Sequence, residues 1–281
     1  MERENDMGLN FMEGNEAIAW GAFRAGCRFF AGYPITPATT ILNTMLKLLP
    51  PAGGICIQGE DEIASMGFCL GASMAGMKVL TATSGPGISL YSENISFAIG
   101  SEIPLVIVDV QRLGPSTGSA TRGADGDIQF LRWGNTGGLP VVVLAPVDAV
   151  DCYQLTVHAF NLAEALRCPV FIASNKETGM TKESFDMEAV ELPEIIDRAL
   201  TPQTPPFYRL PPEMTARHRN TCPSEDRNSY ARPRRPTAGT ATSPWTGRPS
   251  PTTRAGWQTN CKPLWTIFPF LTFSMRTRTP C

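Results

Sequence analysis

Three consecutive acidic residues, Glu60, Asp61 and Glu62, stand where a short apolar run gives way to a stretch rich in small residues. Carboxylates in the first turn of a helix are stabilised by the helix dipole, which accounts for Glu60 and Asp61 without any chemistry. Glu62 lies one position further into the predicted helix, where close packing makes a carboxylate costly unless it is used. Glu62 is therefore the first candidate for a functional acid or base.

Two further junctions between a predicted strand and a predicted helix carry unusual residues. The segment Gly32-Tyr-Pro-Ile-Thr-Pro37 is stiffened by two prolines. Thr36 precedes Pro37, and a threonine is a common N-cap before a proline at the first position of a helix. Thr36 is thus equally a candidate N-cap and a candidate ligand contact. The tight turn Ser84-Gly-Pro-Gly87 lets the backbone approach a ligand closely, although glycine turns are common for structural reasons alone.

A fourth junction, Gln111-Arg-Leu-Gly-Pro-Ser-Thr-Gly118, follows the most apolar run of the chain. The planar guanidinium of Arg112 suits a carboxylate, and ligands of α/β proteins bind at the carboxyl ends of strands. The sequence therefore predicts Arg112 as a ligand-binding residue, with an ordinary surface arginine as the alternative.

The sequence lacks the residue patterns of several common enzyme classes. It contains no Gly-x-Gly-x-x-Gly after the first predicted strand and no Gly-x-x-x-x-Gly-Lys-Ser/Thr, so nicotinamide and nucleoside-triphosphate chemistry lose their main support. Its eight cysteines include no Cys-x-x-Cys, and we expect no metal site in this chain. His158, one of two histidines, falls within a predicted helix, and no catalytic triad can be assembled around it.

Six short apolar runs alternate with helix-forming stretches. The strand candidates share near-continuous hydrophobicity, which is typical of parallel strands covered on both faces, and occupy residues 28–33, 54–58, 78–83, 104–110, 139–145 and 169–174. The helix candidates occupy residues 14–26, 37–48, 61–75, 87–100 and 147–166. This alternation predicts an α/β fold with a doubly wound, mostly parallel sheet of about six strands.

The composition changes abruptly near residue 202, and the predicted α/β domain covers residues 1–202. Residues 203–281 carry 12 Lys and Arg against 3 Asp and Glu, a net charge of +9, and hold 13 of the 25 prolines. We expect this Pro/Arg/Thr-rich basic tail to be irregular, either disordered or the product of a shifted reading frame. A basic arm that binds nucleic acid is the weaker alternative.

Together these junctions resemble the thiamine-diphosphate pyrimidine-binding domain of the alpha subunit of 2-oxoacid:ferredoxin oxidoreductases. The resemblance covers roughly residues 8 to 200 and rests on five motifs in the family's order and spacing. The motifs are Gly14-Asn-Glu-Ala-Ile-Ala19, Gly32-Tyr-Pro-Ile-Thr-Pro37, Gln58-Gly-Glu-Asp-Glu-Ile-Ala64, Thr83-Ser-Gly-Pro-Gly87 and Gln111-Arg-Leu-Gly-Pro-Ser-Thr-Gly118. The last motif looks more like that of the 2-oxoglutarate enzymes than that of the pyruvate enzymes. Nothing after about residue 205 resembles the domain that follows in the family.

The resemblance implies a role for each junction. Glu62 would be the catalytic glutamate that touches the thiamine aminopyrimidine, with Glu60 as the alternative, and Thr36 and Arg112 would bind the substrate. The other cofactor-binding residues would be Tyr33, Pro34, Ile35, Ser84, Gly85 and Pro86. The magnesium ion and the iron–sulfur cluster would be held by a partner beta subunit.

The resemblance further implies oxidative decarboxylation of a 2-oxoacid, with 2-oxoglutarate favoured, to an acyl-CoA, with electrons passed to ferredoxin. The chain would be active only with its beta subunit. Three alternatives stay open: a truncated or frame-shifted inactive product, another thiamine-diphosphate enzyme such as a decarboxylase, and a nucleic-acid-binding protein. Since no apolar run reaches the roughly 20 residues of a membrane-spanning helix and the first residues are polar, we expect a cytoplasmic protein without a membrane or nucleic-acid partner.

Overall fold

The structure, a computed structural model, describes residues 9–198. Within that range the strands are β1 (Leu9–Glu13), β2 (Phe29–Gly32), β3 (Ile55–Gln58), β4 (Val79–Thr83), β5 (Leu105–Gln111), β6 (Val142–Leu144), β7 (Pro169–Asn175) and β8 (Lys182–Asp186). The helices are α1 (Gly14–Arg24), α2 (Thr39–Leu48), α3 (Glu62–Met74), α4 (Pro86–Leu90), α5 (Ser92–Gly100), α6 (Ile128–Trp133), α7 (Ala149–Leu166) and α8 (Lys176–Met180), with a 3₁₀ turn at Pro50–Ala52.

Six of these strands form one sheet in the order β3-β2-β4-β5-β7-β6, and every pairing in it is parallel. Helices α1, α2 and α7 pack on one face, while α3, α4, α5 and α6 pack on the other. Alternate residues of each strand enter the two cores, so that Leu80 joins the first and Val79 the second. Burial on both faces explains the continuous apolar runs, and the predicted α/β fold class is confirmed.

The structure differs from the sequence prediction at several short elements. The predicted helix 87–100 is two helices, α4 and α5, which meet at Tyr91. Periodicity could not show this break, because Ile88 and Ile95 on either side of it enter the same core. The predicted strand 139–145 is reduced to the three residues of β6, and the predicted helix from residue 37 begins at Thr39.

Four elements were not predicted at all: β1, β8, α6 and α8. Strands β1 and β8 form a separate antiparallel pair, in which Leu9 lies opposite Asp186 and Glu13 opposite Lys182. Leu9 and Phe11 of β1 are exposed, so this pair lacks the buried stripe that marks the strands of the main sheet.

The last described residues are fixed against α3 and α7. Arg198 donates hydrogen bonds of 2.8 and 2.6 Å to the two carboxylate oxygens of Glu164, and its Nη1 donates to the carbonyl oxygen of Ser73 at 2.5 Å. Such a forked arginine–carboxylate contact is geometrically specific, and it anchors the C-terminal end of α3. The predicted boundary at residue 202 and the predicted tail lie outside the described residues.

Candidate active site

The four junctions singled out in the sequence lie at one edge of the sheet. They follow β2, β3, β4 and β5, which are neighbours in the parallel sheet, and so all four begin at carboxyl ends of strands. This is the edge at which open α/β sheets bind their ligands.

The acidic triplet divides into three different environments. Asp61 is the N-cap of α3, where its carboxylate accepts a hydrogen bond of 2.7 Å from the backbone N–H of Ala64. Glu60 is exposed, whereas Glu62, the first residue of α3, is only 8% exposed. Of the two glutamates that compete for the catalytic role, Glu62 is therefore the one that faces the interior.

The turn between β4 and α4 lies against Glu62. Gly85 has φ 47° and ψ −105°, a conformation that residues with a side chain rarely adopt. A Cβ on Gly87 would collide with Thr83 Oγ1 and lie 2.9 Å from Glu62 Oε1. Because Gly85 and Gly87 carry no side chains, the backbone of this turn lies directly beside the Glu62 carboxylate.

Arg112 is buried rather than at the surface, so the surface-arginine alternative is wrong. Its side chain is 6% exposed; Nη1 donates to the carbonyl oxygen of Thr36 at 2.6 Å, and Nη2 donates to that of Thr117 at 2.9 Å. Its Nε is buried and has no hydrogen-bond partner among the described residues. Arg112 thus ties the junction after β2 to the loop after β5, and it lies alongside Gly85.

Thr36 does not cap a helix. The N-cap of α2 is Ala38, and α2 has no side-chain cap, so the capping interpretation of Thr36 is wrong. Thr36 is exposed, as is Tyr33, while Pro34 and Ile35 between them are half-buried. The segment Tyr33–Thr36 therefore borders the same edge of the sheet as Arg112 and Glu62.

Asn15 is a site residue to which sequence reasoning gave no role. It is fully buried in α1, and its Nδ2 donates to the carbonyl oxygen of Pro37 at 2.9 Å and to Thr40 Oγ1 at 2.7 Å. These bonds hold the β2–α2 junction in place from α1, which packs on the same face of the sheet as α2. The available signal was the place of Asn15 in the Gly14-Asn-Glu-Ala-Ile-Ala19 motif.

Two further acidic residues, Asp109 and Asp127, also escaped the sequence analysis. Asp109 is fully buried in β5, and burial raises the pKa of its carboxyl group well above its ordinary value. Asp127 precedes α6 and is half-buried, and burial raises its pKa as well. The signal for Asp109 was a charged residue inside the most apolar strand.

An open cleft of about 300 Å³ lies beside these groups. Its walls come from the turn before α4, the loop after β5 and the start of α6: Gly85, Pro86, Ile88, Ser89, Gly114, Pro115, Ser116, Asp127 and Phe130. The cleft thus has a carboxyl group in its wall and the guanidinium of Arg112 behind Gly85. An anionic or polar ligand with both donors and acceptors suits such a surface.

Other candidate groups lie away from this edge. His158 is half-buried in α7, on the opposite face of the sheet, where burial lowers its pKa.

Among residues 9–198 no group of three or more His, Cys, Asp or Glu side chains is placed to hold a metal ion. No helix in that part of the chain is long and apolar enough to cross a bilayer.

Comparison with known proteins places this chain in a family. The family model described as pyruvate flavodoxin/ferredoxin oxidoreductase, thiamine diphosphate-binding, matches residues 20–242. The chain therefore belongs to this family of thiamine-diphosphate-binding domains. The match runs past residue 202, where the composition changes.

Individual relatives carry the names of enzyme subunits that act on 2-oxoacids. A subunit of 2-oxoglutarate synthase, KorA, from Methanocaldococcus jannaschii is 48% identical over 213 residues, which are 74% of this chain and 58% of the relative. A ketoisovalerate oxidoreductase subunit, VorB, from Methanothermobacter thermautotrophicus is 41% identical over 66% of this chain and 53% of its own length. The chain thus spans a little over half the length of these curated relatives.

A solved structure shares both fold and sequence. The 2-oxoglutarate:ferredoxin oxidoreductase from Magnetococcus marinus, with 2-oxoglutarate, coenzyme A and succinyl-CoA bound, aligns with a TM-score of 0.66 and 38% identity. The alignment covers 73% of this chain and 36% of that one.

Proposed function

We propose that this chain supplies the pyrimidine-binding half of a thiamine-diphosphate-dependent 2-oxoacid:ferredoxin oxidoreductase that acts on 2-oxoglutarate. The observation that carries the proposal is the buried carboxylate of Glu62 beside the side-chain-free Gly85–Gly87 turn, in a chain that belongs to this family. A catalytic carboxylate needs such a buried position beside open backbone, since water is excluded there and a flat ring can approach closely.

The residues at this edge fit a thiamine ring. Thr83 Oγ1 and Ser84 Oγ are buried without hydrogen-bond partners among the described residues, next to the turn whose Gly87 has no room for a Cβ. Buried polar atoms of this kind are rare unless something binds nearby. Glu62, the Gly85–Gly87 turn and the Tyr33–Ile35 segment would hold the aminopyrimidine half. When bound, thiamine diphosphate supplies the nucleophilic carbon and the electron sink for decarboxylation.

The side chains of this chain would divide the remaining work. The Glu62 carboxyl group would form a hydrogen bond with a ring nitrogen and exchange a proton with it, as a positioned general acid–base group does. Arg112 uses two of its five N–H donors on backbone carbonyls, so donors stay available for the substrate carboxylate. The Thr36 hydroxyl stands beside the carbonyl group that Arg112 binds and would donate to the same substrate.

The choice of 2-oxoglutarate is supported by the identity of the relatives. The 2-oxoglutarate synthase subunit of Methanocaldococcus jannaschii is 48% identical, whereas the ketoisovalerate oxidoreductase subunit is 41% identical. The solved relative also holds 2-oxoglutarate and succinyl-CoA. We assign succinyl-CoA as the product and ferredoxin as the electron acceptor.

The proposal requires a beta subunit that holds the magnesium ion, the diphosphate and the iron–sulfur cluster. It is supported by the residues that the described part of the chain brings to one edge, a carboxylate, an arginine and a threonine, which suit the pyrimidine ring and the substrate. The inactive-fragment alternative shares the same fold and site, so activity of the assembled enzyme separates the two.

The test is an assay of the chain purified together with its beta subunit. Reduction of ferredoxin or a viologen dye should require coenzyme A and thiamine diphosphate and should be fastest, by kcat/KM, with 2-oxoglutarate among 2-oxoglutarate, pyruvate and ketoisovalerate. A stable complex that reduces the dye with none of the three substrates would support the inactive fragment instead. Preference for another oxoacid would overturn only the substrate assignment.

A further inference from the structure

Asp109 carries a carboxyl group inside the protein that the proposed reaction does not use. It lies in β5 next to Thr83 of β4 in the parallel register, and it is 0% exposed. Neither of its oxygens has a hydrogen-bond partner among the described residues, and the neighbouring Thr83 Oγ1 has none either. An ionised carboxylate is strongly unfavourable in such surroundings, whereas a neutral acid is not and also provides an O–H donor.

Asp127 brings a second carboxyl group to the same end of β5, where its backbone N–H donates to Gln111 Oε1 at 3.1 Å. Its Oδ2 is buried and without a partner among the described residues. Burial raises the pKa of Asp109 and of Asp127, and the nearby backbone N–H of Gly85 partly offsets that rise in both. Two carboxyl groups gathered at one backbone N–H do not ionise together readily.

We propose that Asp109 is kept as a neutral acid and pairs with the carboxylate of Asp127 beneath the Gly85–Gly87 turn. The O–H of Asp109 then donates to the carboxylate of Asp127. The two carboxyl groups together hold the backbone of Gly85 in place. The pair would act as positioning residues, since Asp109 is fully buried and Asp127 would act through the backbone of Gly85.

The charged groups around the pair favour this division of roles. Burial raises the pKa of both groups, but Arg112 opposes that rise in Asp127, whereas the charge of Asp127 adds to it in Asp109, so Asp127 is the member that ionises first. The other titratable side chains packed on this face of the sheet include Glu62 and Cys69 of α3 and Tyr91 between α4 and α5. Burial raises the pKa of the Cys69 thiol, so Cys69 stays neutral. The hydroxyl of Tyr91 is bonded to Thr81 Oγ1 at 2.9 Å, and burial raises its pKa, so Tyr91 stays neutral.

The burial and missing partners of Asp109 are enough to infer that it is protonated, but the positioning role of the pair rests on the proposed function. If the Gly85–Gly87 turn contacts the thiamine ring, the pair fixes the position of that turn relative to Glu62. Loss of the pair would then weaken cofactor binding more than it would change the chemistry.

Infrared spectroscopy of the full 281-residue chain in D₂O at neutral pH tests the protonation. The wild type should show the carbonyl band of a neutral carboxylic acid that Asp109→Asn removes and that Asp151→Asn, a change to a half-buried carboxyl group in α7, leaves in place. Absence of the band from the wild type, or its survival in Asp109→Asn, would overturn the proposal.

A titration decides the matter if Asp109→Asn does not fold. The wild-type band should persist well above the ordinary pH range of aspartate, and Asp127→Asn should move its disappearance to lower pH, because a charge that raises the pKa of Asp109 is gone. A band that titrates at the same pH in both proteins would overturn the pairing.

Binding of thiamine diphosphate to the complex with the beta subunit tests the positioning role. Asp109→Leu, or Asp127→Ala if that variant does not fold, should raise the Kd by about tenfold, whereas Asp109→Asn should stay within about twofold of wild type. Equal weakening by Leu and Asn, or no weakening by Leu, would overturn positioning. A wild-type complex that binds no thiamine diphosphate would instead refute the proposed function, and the infrared result would be unaffected.

Discussion

At the scale of single residues, Arg112 binds two backbone carbonyl groups, and these bonds determine which of its N–H donors can still bind a substrate. A guanidinium donates in several directions within one plane, so it can hold the carbonyl oxygens of Thr36 and Thr117 and still face a carboxylate. An ammonium group has three donors and no such fork, and it cannot satisfy all of these acceptors at once.

Arg112→Lys should therefore raise the KM for the 2-oxoacid by about tenfold or more, since a charge-assisted bidentate contact is lost. Steady-state kinetics of the complex with the beta subunit measure the change. Arg122→Lys is the matched control, because Arg122 is exposed in the same loop. Equal KM values for wild type and Arg112→Lys would remove the substrate role from Arg112.

Thr36→Val keeps the shape of the side chain and removes its hydroxyl. If Thr36 donates to the substrate, kcat/KM should fall by a factor that corresponds to about 0.5–1.5 kcal/mol, the usual net worth of one hydrogen bond. Thr39→Val, at the first residue of α2, is the control. A substrate role for Thr36 is refuted if both variants show the same kinetics as wild type.

The buried acid at position 109 should be visible in the pH dependence of stability. Its pKa is raised in the folded protein, so the folded state binds the proton more tightly than the unfolded state between the unfolded and folded pKa values. Stability from this group is complete below the unfolded pKa and is lost as the pH rises through the folded pKa. Urea unfolding of the full chain across this window should show a decline in the wild type that Asp109→Asn lessens. An unchanged slope would contradict a raised pKa.

At the scale of elements, the short turn between β4 and α4 is the most constrained part of the site. A Cβ at Gly87 meets Thr83 Oγ1 and the carboxylate of Glu62, whereas a Cβ at Gly67 in α3 meets nothing within 4 Å. The same substitution at these two glycines should therefore have opposite effects.

Gly87→Ala should destabilise the protein by about 1–3 kcal/mol through overpacking. Gly67→Ala should be neutral or stabilising by up to about 1 kcal/mol, because alanine costs less backbone entropy in a helix. Urea denaturation of both variants measures the difference. A Gly87→Ala protein as stable as Gly67→Ala would show that the turn is looser than described.

The long elements could be predicted from the sequence because their patterns are local. The run from Leu105 to Gln111 is buried along its whole length and reads as one strand, and the apolar spacing of α7 is recognisable over 18 residues. The pair β1 and β8 could not be predicted, since its partners lie at opposite ends of the described chain. Six-residue α6 is too short for its periodicity to be informative.

The site was predictable only where a motif was visible. The junctions at Thr36, Glu62, Gly85 and Arg112 could be located at strand ends from the sequence, and the structure gathers them at one edge. The burial of Arg112 and the bond from Asn15 to Pro37 depend on tertiary packing between segments that are distant in the sequence. No local pattern encodes such contacts.

At the scale of the whole molecule, the proposed function makes this chain one part of a larger enzyme. The described residues place an interior carboxylate, a forked arginine and a glycine turn at one edge of the sheet, and the proposed function leaves the diphosphate, the metal and the electron carriers to a beta subunit. The chain spans a little over half the length of its curated relatives.

The most direct test of this account is the exchange of the thiazolium C2 proton in thiamine diphosphate bound to the complex with the beta subunit. Nuclear magnetic resonance after rapid mixing with D₂O should show exchange in Glu62→Gln slowed by about two orders of magnitude or more, within the range of acid–base catalysis, with folding near wild type. Glu60→Gln, which alters the exposed neighbour, should exchange at the wild-type rate. Normal exchange in Glu62→Gln, whether or not Glu60→Gln loses it, would contradict the assignment of Glu62 as the catalytic carboxylate.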